Sequence, residues 1–122
     1  TSASTTFNIT HLELKEDVIM DCSGGLLNGW TRNSNSYVGV EVNKIGNLVS
    51  INACLKAGVL TNGTVIFKVP TGYEPSIRQT LTMFANDGTL QHVTVQPNGA
   101  VTLNITMADA KTWWVLQGCY AI

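Results

Sequence analysis

Charge is scarce in this chain. Asp, Glu, Lys and Arg make up 12% of the 122 residues, about half the share of an average globular domain. The seven basic residues, Lys15, Arg32, Lys44, Lys56, Lys68, Arg78 and Lys111, are scattered. No cluster of them neutralises several neighbouring phosphates, which removes the electrostatic footprint of a nucleic-acid binder. An anionic membrane surface lacks its basic patch for the same reason. No apolar run approaches the roughly 20 residues of a membrane helix, so membrane insertion is not expected. Histidine is limited to His11 and His92. No histidine pair stands at metal-ligand spacing, so no metal and no cofactor is expected. Cysteine occurs three times, as Cys22, Cys54 and Cys119. An odd count cannot pair fully within one chain; the expectation is free thiols, with Cys54 and Cys119 in the core as small hydrophobes, and a single disulfide is the alternative.

Catalytic signatures are also missing. Nucleophile catalysis needs a base beside the nucleophile, and there is no Gly-x-Ser-x-Gly elbow. The eight acids offer no pair that sequence alone sets astride a glycosidic bond. Ser23-Gly24-Gly25 lacks the lysine of a phosphate-cradling loop. The expectation is a non-enzyme.

Apolar residues are plentiful, at 44%, and the polar remainder is dominated by 15 Thr and 11 Asn. A nearly neutral, hydrogen-bonding surface of this kind suits strands and turns. Residues 1–10 are read as a linker with no strong pattern, and 11–122 as one domain. Apolar residues then alternate with polar ones along 37–42, 48–55, 64–69, 77–84, 90–95, 101–105 and 113–122, the mark of half-buried strands. Turn signals separate the runs: 44–47, Asn62-Gly63, Asn86-Asp87-Gly88 and Pro97-Asn98-Gly99. A short helical turn is allowed at 107–112. About seven to nine short strands at this spacing predict an all-β, antiparallel sandwich or barrel. Its edges, rich in Thr and poor in Lys, are weakly protected against sheet pairing, which suggests cover by another subunit.

What remains to carry function is a set of aromatic and amide side chains. Trp30 and Arg32 lie with Tyr37 in a loop of Asn, Ser, Thr and Gly. An aromatic ring stacks on the C–H face of a pyranose while amide, guanidinium or imidazole groups bond its hydroxyls. Adjacent on a strand, Trp113 and Trp114 face opposite sides. Parity with Leu116 turns Trp114 inward, whereas parity with Val115 turns Trp113 inward. His92 shares a strand face with Thr94 and Gln96, opposite Val93 and Val95, and is therefore outward. The candidate saccharide-binding residues are His92, Trp113, Trp114, Trp30, Arg32 and Tyr37.

One segment, Phe67-Lys68-Val69-Pro70-Thr71-Gly72-Tyr73-Glu74-Pro75-Ser76, resembles the "strand, Pro-x-Gly-Tyr-x-Pro-Ser, strand" passage of head domains at the C-terminal ends of phage tail proteins. The following order, with a Val-x-Val hairpin turning on Asn98-Gly99 and a last strand ending in Gly118-Cys119-Tyr120, is similar to that family over roughly residues 27–122. The style is that of receptor-binding heads of siphophages infecting Gram-positive cocci, such as lactococcal phages. The resemblance implies a Greek-key barrel, a homotrimer, a place at the phage tail tip or baseplate, attachment to other tail proteins through the N-terminal side, and a host cell-wall polysaccharide as ligand. It carries over His92 and a Trp of the last strand; the family's His-x-Asp pairing is absent, because the sequence reads His92-Val93-Thr94. Two other readings compete: a structural or trimerisation module of a fibre or baseplate, and a carbohydrate-binding module of non-viral origin.

Overall fold

The computed structural model describes residues 17–122; the expected linker, the expected start of the domain and His11 lie outside them. Strands run over Asp17–Asp21 (β1), Thr31–Arg32 (β2), Val40–Ile45 (β3), Leu48–Lys56 (β4), Val65–Lys68 (β5), Gln79–Ala85 (β6), Leu90–Val95 (β7), Ala100–Leu103 (β8) and Trp114–Ala121 (β9). They form one antiparallel sheet in the order β1-β3-β4-β9-β6-β7-β8-β5, with β2 on β4, and the sheet curls into a half-barrel. The consecutive strands β6, β7 and β8 stand side by side and β5 returns beside β8, which is a Greek-key arrangement.

Curling encloses one face. On β4 the odd residues Val49, Ile51, Ala53 and Leu55 are buried; on β6 Leu81, Met83 and Ala85 are. From the other half of the sheet come Phe67, Val93, Val95, Val101 and Leu103. This period-two burial is what alternation in the sequence encodes, and burying such a set of side chains is the main source of stability.

The segment that carried the resemblance is a folded crossing from β5 to β6. Tyr73 N–H donates to Pro70 O at 3.0 Å and Gly72 N–H to Glu74 Oε1 at 2.7 Å. From the last strand, the buried Tyr120 hydroxyl donates to Tyr73 O at 2.7 Å. On the other side Lys44 Nζ donates to Gly72 O at 3.1 Å and stands 5.4 Å from the Tyr73 ring centroid, a cation–π distance. Proline stops the strand, and the tyrosine pair fastens the crossing to β9.

Several expectations change. No helix forms at 107–112. Lys111 takes φ +55°, and the Ala110 carbonyl accepts from the Trp114 indole at 2.8 Å, so the backbone groups that would start a helix are used elsewhere. β3 begins at Val40 rather than residue 37, and β8 ends at Leu103. β1, β2 and a 3-10 turn over Ser23–Gly25 were not anticipated. The β5 edge is not bare: Leu27 N–H donates to Ile66 O and the Asn28 amide to Val65 O, each at 2.8 Å. All three cysteines are free. Cys54 is buried, but its even position on β4 faces away from Ala53, Leu55 and the core cluster, and Cys119 is exposed, because its odd position on β9 faces away from Tyr120 and the core; neither is the core thiol expected.

Candidate functional site

The outer face of the half-barrel carries an open depression, the candidate site. Pairing of β4 with β9 sets Cys54 opposite Val115 and Asn52 opposite Gln117. Both pairs point outward, since their neighbours Ala53, Leu55, Trp114 and Leu116 point in. Trp113 precedes β9 on the same outward parity. Tyr37 and Val38 arrive from the loop before β3. Together these seven residues line an open depression of about 180 Å³.

Its two aromatic walls are held by backbone contacts. Arg32 Nε donates to Ser34 O at 3.1 Å and its Nη2 to Tyr37 O at 2.8 Å, which fixes the turn that presents Tyr37. On the other side Asn86 brackets Trp113: its N–H donates to Trp113 O at 3.1 Å, and its Oδ1 accepts from Thr112 N–H at 2.9 Å. Beneath, the Lys111 ammonium lies 3.0 Å from Asp87. Walls already fixed in the free protein lose less freedom when a ligand arrives.

The candidate residues separate cleanly. Tyr37, 56% exposed, and the half-buried Trp113 stand at the depression. Trp114 is 1% exposed and Trp30 is 2% exposed. Both lie in the core, so neither offers a ring face to a ligand. Parity with Leu116 decided the first case. In the second, the Trp30 indole donates to Val59 O at 3.0 Å and plugs the end of the sheet near residues 26–30. Arg32 is a positioning group for Tyr37, with two of its donors spent on carbonyls. His92 is exposed on β7 opposite Thr82. It shares the outer face but sits two strands from β9, roughly 10 Å away at the usual strand spacing, and does not line the depression.

No protein-family model and no curated protein sequence matches the chain. The site must therefore be read from its own chemistry.

That chemistry is neutral and mostly apolar. Lysine, arginine, histidine and carboxylates are absent from the lining. Cys54 contributes a thiol whose pKa burial pushes up, with a hydrogen bond from the Asn33 side chain opposing; it stays protonated at neutral pH and is a poor nucleophile. Among the described residues no group of three or more metal-type side chains converges, and no helix is long and apolar enough to cross a membrane. The polar part of the lining is a pair of carboxamides: Gln117 Nε2 donates to Asn52 Oδ1 at 3.1 Å.

Of the candidate residues read from the sequence, Tyr37 and Trp113 line the depression; Val38, Asn52, Cys54, Val115 and Gln117 also line it and were not among those candidates. Strand parity held part of the signal. Once Trp113 is outward, Val115 and Gln117 follow on the same face. The partners on β4 needed the register, which no single-strand pattern provides.

Proposed function

We propose that this domain is a non-catalytic receptor-binding head of a bacteriophage tail or baseplate protein. In this reading it acts as a homotrimer at the virion's tail tip and holds host cell-wall saccharide on its outer face. The single observation that carries the reading is the preorganised depression between Tyr37 and Trp113, with the Asn52–Gln117 pair at one end. Aromatic rings plus a few directed polar groups are the chemistry of sugar recognition. Binding without cleavage is supported by the lining, which offers neither a carboxylate pair nor an active nucleophile. The Phe67-to-Ser76 crossing, with the order of strands after it, supports the phage assignment.

The test is sedimentation of the domain with purified cell walls of Gram-positive cocci. Trp113→Ala is expected to weaken wall binding about tenfold or more, some 1.4 kcal/mol per decade. His92→Ala, outside the depression, is expected to change it by less than about threefold. Unchanged binding by Trp113→Ala would show that this face is not the wall-binding site.

A structural module is favoured by one observation. Phe84, 38% exposed, and Leu90, 63% exposed, extend the apolar row of Cys54 and Val115 across β6 and β7. Exposed apolar rows often mark protein interfaces. Analytical ultracentrifugation separates the cases. We expect a trimer at micromolar concentration that survives Trp113→Ala; a monomeric parent contradicts the trimeric reading. A trimer that dissociates in the variant assigns the depression to assembly.

A further inference from the structure

We infer that the depression selects an acetamido sugar, a neutral pyranose bearing an N-acetyl group; this rests on the saccharide-binding reading above. The floor is formed by Val38, Val115 and the protonated thiol of Cys54, none of which bonds strongly to a hydroxyl. Plain hydroxyl groups desolvated there lose hydrogen bonds to water and recover none. A methyl group suffers no such loss and buries apolar surface.

At one end of this floor stand two carboxamides. After the Gln117-to-Asn52 bond at 3.1 Å, the Gln117 carbonyl oxygen and the Asn52 NH2 group make no further bond among the described residues. A carbonyl oxygen and an NH2 group with capacity to spare therefore sit side by side at the rim. A secondary amide is the complementary group: its N–H reaches the acceptor and its carbonyl takes the donor. Turning both carboxamides over preserves this match, because the pair keeps a donor and an acceptor with capacity to spare either way. A methyl next to a secondary amide is an N-acetyl group, and the walls of Tyr37 and Trp113 suit the C–H faces of the ring that bears it.

Charge narrows the class further. The strand register places Glu41 opposite Asn52, and both point to the outer face. No cation lines the depression. The nearest cations are Arg32, bonded to the Tyr37 carbonyl, and Lys56, two residues beyond Cys54 on the outer side of β4; neither lines the depression, so a phosphate or carboxylate finds no direct partner inside it. A free amino sugar lacks both the carbonyl that complements the Asn52 donor and the methyl that covers the apolar floor.

The experiment is an NMR titration of the nitrogen-15-labelled domain with N-acetylglucosamine, glucose and glucosamine in turn. The indole of Trp113 and the side-chain amides of Asn52 and Gln117 are the reporters. N-acetylglucosamine is expected to shift all three and to bind about tenfold more tightly than either other sugar. In Gln117→Leu, and separately in Asn52→Leu, that preference is expected to fall to within about twofold while Trp113 still responds. Both positions face outward, so the fold should accept each change. Equal affinity for glucose and N-acetylglucosamine, or reporters that do not move with N-acetylglucosamine, overturns the ligand class. The second result, combined with wall binding that Trp113→Ala abolishes, leaves the wall-binding reading standing. Wall binding untouched by Trp113→Ala removes the depression as the wall-binding site, and the ligand class proposed for it with it.

Discussion

Trp114→Ala is expected to destabilise the domain by about 3–5 kcal/mol, the usual range for deleting a fully buried tryptophan. Trp114 is 1% exposed and sits on β9 between Leu55 of β4 and Ala85 of β6. Its removal leaves a cavity at the junction of the two halves of the sheet. It also strips the Ala110 carbonyl of its indole partner at 2.8 Å, and a partly buried acceptor left without a partner adds to the loss. For a domain of this size the melting temperature should fall by roughly 10–20 °C. Total stability of about 5–15 kcal/mol makes that a large fraction. Trp113→Ala is the control. Its neighbour removes only a half-buried ring from the outer face, and the melting temperature should move by a few degrees at most. Thermal denaturation followed by far-ultraviolet circular dichroism reads both. Equal losses in the two variants would contradict the assignment of the rings to opposite faces. The same contrast underlies the binding test, because a Trp113 variant that keeps its fold and the parent's oligomeric state can lose wall binding only through the site.

How far the sequence carried this picture depends on which physical signal each feature leaves. Period-two alternation is strong wherever one face is buried, so β4, β6, β7 and β9 were legible within a residue or two of their ends. The β3–β4 hairpin was legible because the turn at Gly46 and Asn47 interrupts a continuous alternation. β1 and β2 were not: β2 is two residues long, and β1 is an apolar triplet, Val18-Ile19-Met20, between two aspartates rather than an alternating run. Thr31 and Arg32 become a strand only because β4 is long enough to pair with them beyond the start of β3. Residues 107–112 have acceptable helix formers in Met107, Ala108 and Ala110. Tertiary bonds override that local preference, with Met107 buried and its N–H on Leu60 O at 2.8 Å.

For the site, composition pointed to aromatic and amide chemistry, but it could not say which tryptophan is outside. Trp30 sits in a polar loop sequence and is nonetheless core, because a loop that closes the end of a curled sheet must plug it. Cys119 is the converse case. An apolar-looking strand end hides the fact that Gly118, not Cys119, lies against Leu81. A Cβ on Gly118 would come 2.9 Å from Leu81 Cδ2, so the missing side chain there is room for a leucine of β6. Such across-sheet complementarity is invisible until the register is known.

Gly58→Ala is expected to be among the most damaging substitutions in the domain, at about 3 kcal/mol or more. A Cβ at this position would overlap Asn28 O and the carbonyl carbon of Gly29 and lie 2.5 Å from Trp30 N. All three are backbone atoms, which cannot rotate out of the way as a flexible side chain does. Nor is that backbone free to retreat. Val59 N–H donates to Asn28 O at 2.9 Å, Trp30 N–H to Leu27 O at 3.1 Å, and the Trp30 indole to Val59 O at 3.0 Å. Asn28 and Gly29 already adopt φ of +56° and +81°, so the turn is tightly constrained. Relief requires the 58–59 segment to separate from 28–30, and that unseats Trp30 from the end of the core. Two other glycines calibrate the effect. Gly63 has open space but φ +88°, so alanine there should cost about 1–2 kcal/mol from left-handed strain alone. Gly24 has open space and no positive φ, and alanine there should stay within about 0.5 kcal/mol of the parent. Urea denaturation of the three variants should therefore rank Gly58→Ala far below Gly63→Ala, with Gly24→Ala near the parent. If Gly58→Ala is expressed as insoluble protein while the other two fold, the ranking still holds. A Gly58→Ala domain as stable as the parent would mean that the backbone of 28–30 does not pass against residue 58, and the seat described for Trp30 would fall with it.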